Sequence, residues 1–192
     1  MKLIFATNNQ HKVDEIKSAL PVHFNVITLR EAGIDIDIPE PYPTLQENAA
    51  AKARTIHEMT ITNCFSEDTA LEVSALGGEP GVHSARYAGE EKLPEKNVSK
   101  LLANLNGKNN RAACFRTVIC LIWEGKELFF EGRCDGKITL SPRGSKGFGY
   151  DPVFIPDGSV RTFAEMDIQE KNLYSHRKKA ADMLVTFLNQ LK

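Results

Sequence analysis

Short apolar runs broken by polar and glycine-rich stretches organise this chain, and the spacing within each run separates strands from helices. Lys2 to Ala6 is a compact apolar run that predicts a strand. Thr7-Asn8-Asn9 interrupts it with residue types that cap helices, and Val13, Ile16 and Leu20 then recur at helical spacing from about Gln10 to Leu20. Phe24 to Leu29 alternates loosely and reads as a second strand, so the chain opens with an α/β unit. Thr44-Leu45-Gln46-Glu47 matches the capping box S/T-x-x-E and starts a helix to about Met59, with Ala49, Ala50, Ala53 and Ile56 as its small apolar face. Asn97 to Leu105 is helical by the spacing of Val98, Leu101, Leu102 and Leu105. Ala112 to Trp123 is apolar on both faces apart from Arg116 and Thr117, the pattern of a central strand. Glu124-Gly125-Lys126 turns the chain into a partner strand, Glu127 to Ile138. Val153 to Ile155 is a short strand. The last helix opens at Ser175 and presents Ala180, Leu184, Leu188 and Leu191 as its buried stripe.

The totals narrow the class. A chain of 192 residues fits one domain, or two small lobes, and 42% hydrophobic with 26% charged residues is ordinary for a soluble globular protein. A net charge of -1 gives no support to a nucleic-acid or membrane partner, and no apolar run is long enough to span a bilayer. The first residues, MKLIFATNNQHK, turn polar too soon for a signal-peptide core, and Cys64, Cys114, Cys120 and Cys134 form no CxxC pair. Reduced, buried thiols in a cytoplasmic protein are the expectation.

Candidate chemistry concentrates in a few stretches. In SEDTALEVSALGGEPGVHSARYAG, Glu67 and Asp68 follow an apolar run and precede Gly77-Gly78 and Pro80-Gly81. Carboxylates at a strand end, with glycines that let backbone approach a ligand, fit a metal and an anion; a strand and turn that happen to carry charges fit equally well. The loop from Thr7 to Lys12 offers a helix N-terminus and a lysine in the first turn, to which phosphate is the natural guest. A solvated lysine is the alternative, and GxxxxGK[ST] is absent, which removes Walker-type ATPase chemistry. Glu40, between two prolines, is either a fixed carboxylate or a solvated one, and Lys52 either reaches an anion or stays exposed. In RGSKGFGYDP, Phe148 sits between glycines, placed to stack on a planar ligand or to plug the core. His176 and Arg177 read as exposed cations in a first helical turn, the unfavourable end for positive charge, with Lys171 upstream. A local rule broken there points mildly to function.

Together the blocks ATNNQHKVDEI, EDTALEVSALGGEPGVHSARYAG, GFGYDPVF and SHRKKA resemble the inosine/xanthosine triphosphate pyrophosphatases, in that family's order and across essentially the whole chain. The resemblance implies an α/β, two-lobed fold around a central elongated mixed sheet flanked by helices, with the active site in a cleft between lobes. It implies hydrolysis of non-standard purine nucleoside triphosphates (ITP, dITP, XTP) to the monophosphate and pyrophosphate, with Mg²⁺ as cofactor, by a cytoplasmic homodimer.

Position by position, the resemblance makes Thr7, Asn8, Asn9, Gln10, His11 and Lys12 the phosphate loop and Lys52 a triphosphate ligand. Glu40, Asp68 and Glu67 match magnesium carboxylates, and Asp68 also matches the general base. Thr69 matches a substrate-contacting serine. Phe148, Gly149, Tyr150 and Asp151 match the base-binding block, and Lys171, His176 and Arg177 the readers of the purine edge. The chain departs from the family's usual D-D-S-G at Glu67-Asp68-Thr69-Ala70, which lengthens the first carboxylate and keeps the hydroxyl. Three rivals are weaker: a relative acting on pyrimidine or modified nucleotides begins with a serine- and arginine-rich loop; a silent nucleotide binder does not need Lys12, Lys52 and Asp68; a single-strand binder needs more aromatic platforms and positive charge.

Overall fold

The computed structural model describes residues 2–21 and 24–191. Strand β1 (Lys2–Phe5), helix α1 (Gln10–Ala19) and strand β2 (Asn25–Thr28) form the opening unit, β1 pairing parallel to β2 from Lys2↔Asn25 to Phe5↔Thr28. Helix α2 (Leu45–Thr60) starts where the capping box placed it: Thr44 Oγ1 accepts from the Glu47 amide at 3.2 Å. The Glu47 carboxylate, though, accepts from the Thr44 hydroxyl at 2.6 Å. Strands β3 (Cys64–Val73) and β4 (Pro80–Gly81) and helix α3 (Pro94–Asn104) follow, with Pro94 in the first helical turn, where its missing N–H costs nothing.

Strands β5 (Ala112–Trp123) and β6 (Lys126–Ile138) form the expected hairpin. Glu124 (φ 50°) and Gly125 (φ 74°) both take the left-handed conformation that a two-residue turn needs to match strand twist. Strand β7 (Phe154–Pro156), helix α4 (Ile168–Asn172) and helix α5 (His176–Gln190) complete the chain. The sheet runs β2-β1-β3-β5-β6-β7, with β4 on β3, so β5 is interior, as its two apolar faces predict. Parallel pairs (β1 with β2 and β3) and antiparallel pairs (β3 with β4, β6 with β7) make it a mixed sheet in an α/β fold.

The chain divides into two compact units. The first comprises Met1–Asp68, Thr117–Gly132 and Arg177–Lys192. Its core gathers Leu3, Phe5, Ile16, Phe65, Ile119, Leu121, Ala181 and Leu184. The register Phe5↔Phe65 stacks those two rings at 4.5 Å and 7°. The second unit comprises Thr69–Arg116 and Arg133–His176, with a core of Leu71, Leu101, Leu105, Phe115, Phe154 and Phe163. There Phe115 meets Phe154 edge-on, at 4.7 Å and 64°.

Three expectations are corrected. Glu67 and Asp68 lie inside β3, which continues to Val73, rather than at a strand end; the residues beyond them, Ala70, Leu71 and Val73, are buried and keep the strand going. Leu191 is 43% exposed, so the α5 stripe ends at Leu188. His176 and Arg177 are each only 2% exposed, because partners in their own units take up both side chains. The four cysteines are free and buried as expected, and burial pushes the thiols of Cys64, Cys114 and Cys120 up to about 12. Among the described residues, no helix is long and apolar enough to cross a membrane.

Candidate active site

In the first unit, α2, the loop before it and β3 bring one lysine against two carboxylates. The apolar stripe of α2 (Leu45, Ala49, Ala53, Ile56) is interrupted at the same helical spacing by Asn48 and Lys52, both buried. Lys52 Nζ donates to Glu40 Oε1 and lies 3.5 Å from Asp68 Oδ1. Asn48 fixes the loop that carries Glu40: its Oδ1 accepts from the Tyr42 amide at 2.9 Å and its Nδ2 donates to the Tyr42 carbonyl at 3.0 Å. Burial raises the Asp68 pKa, opposed by the charges of Lys52 and Lys12 and reinforced by Glu40. The lysine shifts upward: burial works against its charge, but Asp68, then Glu40, outweigh it. A buried carboxylate whose affinity for a proton is raised in this way is suited to take one from water.

Glu67 has a different environment. Its buried carboxylate accepts from Arg177 Nε at 2.7 Å and Nη2 at 2.9 Å, and Lys12 Nζ lies 3.2 Å away. Arg177 Nη1 donates to Glu15, which is buried on α1. Burial alone would raise the Glu67 pKa, but Arg177, then Lys12, reverse this and hold it at about 2. Its charge is thus already balanced by two cations, and among the described residues no group of three or more His, Cys, Asp or Glu side chains is placed to hold a metal.

The Thr7–Lys12 loop is ordered by its own side chains. Thr7 Oγ1 accepts from the Asn9 amide at 3.2 Å, Asn8 Nδ2 donates to the Ile36 carbonyl at 2.7 Å, and Asn9 Oδ1 accepts from the Lys12 amide at 3.2 Å. The Lys12 amide is therefore already capped, as the helix-capping residue types of Thr7-Asn8-Asn9 lead one to expect. Gln10 pairs with Asp14 at 2.8 Å, and His11 is exposed.

In the second unit a separate constellation forms. Lys171, 3% exposed, donates to Asp151 Oδ2 at 2.5 Å and lies over the rings of Phe148 (5.4 Å) and Phe163 (5.0 Å). Asp151 Oδ2 also accepts from the Phe148 amide at 2.9 Å, which ties the aromatic to the ion pair. Gly147 makes this possible: at φ +70° it sits where a Cβ would lie 2.1 Å from Asp151 Oδ2. Tyr150 is buried, with its hydroxyl donating to the Ser84 carbonyl at 2.8 Å. Phe148 and Gly149 are half-buried, unlike Phe154 and Phe163, so Phe148 is not a core plug. His176 stacks on Phe115 at 4.6 Å and 13°. Thr69, half-buried, follows Asp68 on β3 and so points to the opposite face of the sheet.

Sequence reasoning missed Glu15, Asn48 and helix α4. Glu15 falls three residues after Lys12 on α1, and Asn48 four before Lys52 on α2; polar residues sharing a helix face in this way were the available signal. Helix α4, which carries Lys171, was signalled only by Asp167, whose side chain caps the Glu170 amide at 2.8 Å.

The fold defines the broad class: an α/β protein built on a mixed sheet, here with a buried lysine–carboxylate cluster beside it. The particular family follows from comparison: the chain belongs to the Ham1 family, whose model matches residues 3–187. A dITP/XTP pyrophosphatase of Porphyromonas gingivalis is 52% identical over 188 residues, covering 97% of each chain. A dITP/XTP pyrophosphatase of Flavobacterium johnsoniae is 45% identical over 192 residues, covering 100% of both. The solved structure of the Staphylococcus aureus Ham1 protein superposes with a TM-score of 0.90 at 36% identity, covering 100% of both chains.

Proposed function

We propose that this protein hydrolyses non-standard purine nucleoside triphosphates such as ITP, dITP and XTP to the nucleoside monophosphate and pyrophosphate. Family membership across residues 3–187 and relatives named dITP/XTP pyrophosphatase support the reading. The observation that carries it is the Glu40–Lys52–Asp68 cluster, in which a buried carboxylate with a raised pKa sits beside a charged lysine. Asp68 orients and deprotonates the attacking water. Lys12, Lys52 and the Thr7–Lys12 loop hold the triphosphate oxygens, which favours pyrophosphate as the leaving group.

The donor set fits a hard divalent cation. Glu40 and Asp68 both face the Lys52 ammonium, and both offer oxygen ligands only. Glu40 and Asp68 would hold Mg²⁺, which when bound supplies charge neutralisation at the phosphates. Glu67, Arg177 and Glu15 serve as support for the Asp68 strand.

For the base, Phe148 stacks on the purine ring, Gly149, Tyr150 and Asp151 shape its pocket, Thr69 supplies a hydroxyl, and Lys171 and His176 donate to the 6-oxo edge. A 6-amino group presents donors to donors and leaves them unpaired, which disfavours ATP. Arg177 donates to Glu67 and Glu15 and acts on this edge only indirectly. In this reading the protein works in the cytoplasm as a homodimer, and light scattering checks the dimer.

The direct test of the assigned base is Asp68→Asn. Turnover of ITP falls by at least about a hundredfold, the low end of what a general base contributes, while ITP binding measured by calorimetry persists. Retained turnover removes Asp68 from the role.

A further inference from the structure

The two charged clusters of the first unit are built differently. Arg177 grips Glu67 through two parallel bonds and Glu15 through a third, a rigid fork suited to permanent structure. Lys52 reaches Glu40 and Asp68 with a single compact ammonium on a flexible stem, and both Lys52 and Asp68 are buried, at 7% and 6% exposed. The loop bearing Glu40 is anchored at Tyr42 through Asn48, and Asp68 is carried by β3, so the backbones bearing both carboxylates are fixed by other contacts than the lysine's. The lysine therefore stands where a cation bound by Glu40 and Asp68 would stand, and an ion entering beside it would meet like charge at short range in a poorly screened site.

We propose that Lys52 is a built-in placeholder cation: in the nucleotide-free protein it satisfies Glu40 and Asp68, and it moves to the triphosphate when a divalent ion takes its position. The inference rests on the proposed triphosphate reading and adds an order to it. The divalent ion does not load first; it arrives with the nucleotide, whose phosphate oxygens give the displaced ammonium a new partner. The same exchange keeps the carboxylates of the empty protein from being left buried without a counter-charge.

Mn²⁺ uptake by electron paramagnetic resonance, read on the loss of the free-ion signal, tests this without turnover. Wild-type protein is titrated with Mn²⁺ alone and with the non-hydrolysable α,β-methylene analogue of ITP; Lys52→Met and Lys52→Gln are titrated with Mn²⁺ alone. The expected result is weak uptake by wild type alone, strong uptake with the analogue, and Mn²⁺ affinity in the nucleotide-free variants raised roughly tenfold or more, since a nearby like charge has been removed. Thermal unfolding with and without Mn²⁺ runs in parallel, because Lys52→Met leaves two carboxylates uncompensated. A variant that folds only with Mn²⁺ supports the exchange equally, the ion having replaced the lysine. Wild type binding Mn²⁺ alone as tightly as with the analogue overturns the proposal, as does failure of both variants to exceed wild type. Hydrolysis of ITP by wild type is measured separately: turnover with tight metal-first loading sinks the placeholder alone, whereas absent turnover sinks the triphosphate reading.

Discussion

Glu67 and Asp68 are neighbours on one strand, yet their surroundings push them in opposite directions: Arg177 and Lys12 lower the first against its burial, and burial raises the second against Lys52. Adjacent residues on a strand face opposite ways, so each meets a different set of charges. A pH dependence of stability follows. The folded-state pKa of Glu67 lies at about 2, below the ordinary 4.5, so its stabilisation is fully present above 4.5 and is lost as pH falls toward 2. Glu67→Gln should flatten urea-unfolding stability across that window and lower it at neutral pH; an unchanged acid limb would contradict the assignment. At Phe148 the expectation is kinetic. Phe148→Ala should mainly raise KM, by a similar factor for ITP, dITP and XTP, because stacking tolerates any purine whereas edge contacts distinguish them. A loss confined to one base would show that Phe148 discriminates.

At the scale of elements, local signals were legible and partner-dependent ones were not. The α2 N-cap at Thr44, the α1 stripe and the two apolar faces of β5 are written in neighbouring residues, and all appear where the sequence placed them. The burial of Lys52 and Arg177 is not local. It depends on Glu40, Asp68, Glu67 and Glu15 arriving from other elements, and a lysine or arginine in a helix reads as solvated until those carboxylates are in place. Likewise the length of β3 beyond Asp68 follows from Leu71 pairing with Gly81 on β4, which the Glu67-Asp68 doublet does not announce. The resemblance named a set of residues to examine, and the structure separates among them the lysine–carboxylate cluster from the arginine clamp. The β6–β7 pair supplies a test of an element. Gly136 lies opposite Pro156, and a Cβ there would meet the Ile155 carbonyl oxygen at 2.2 Å and the Phe154 ring at 2.8 Å. Gly136→Ala should cost roughly 1–3 kcal/mol in urea unfolding, the range for overpacking. No loss would mean that the strands have room to separate there.

For the whole molecule, each unit has its own apolar core and its own charged constellation: Glu40, Lys52, Asp68, Glu67 and Arg177 in the first, Phe148, Asp151, Lys171 and His176 in the second. We assign the triphosphate to the first set and the purine to the second, and the Ham1 family match spans both. The central claim is that this protein cleaves the α–β phosphoanhydride of non-standard purine nucleoside triphosphates. The most direct measurement is the product ratio from ITP, dITP, XTP, GTP and ATP, each incubated with and without Mg²⁺, with pyrophosphate and orthophosphate quantified separately. The account predicts stoichiometric pyrophosphate from ITP, dITP and XTP, dependent on Mg²⁺, with ATP a poor substrate. Orthophosphate as the main product, or no turnover of ITP, would contradict it.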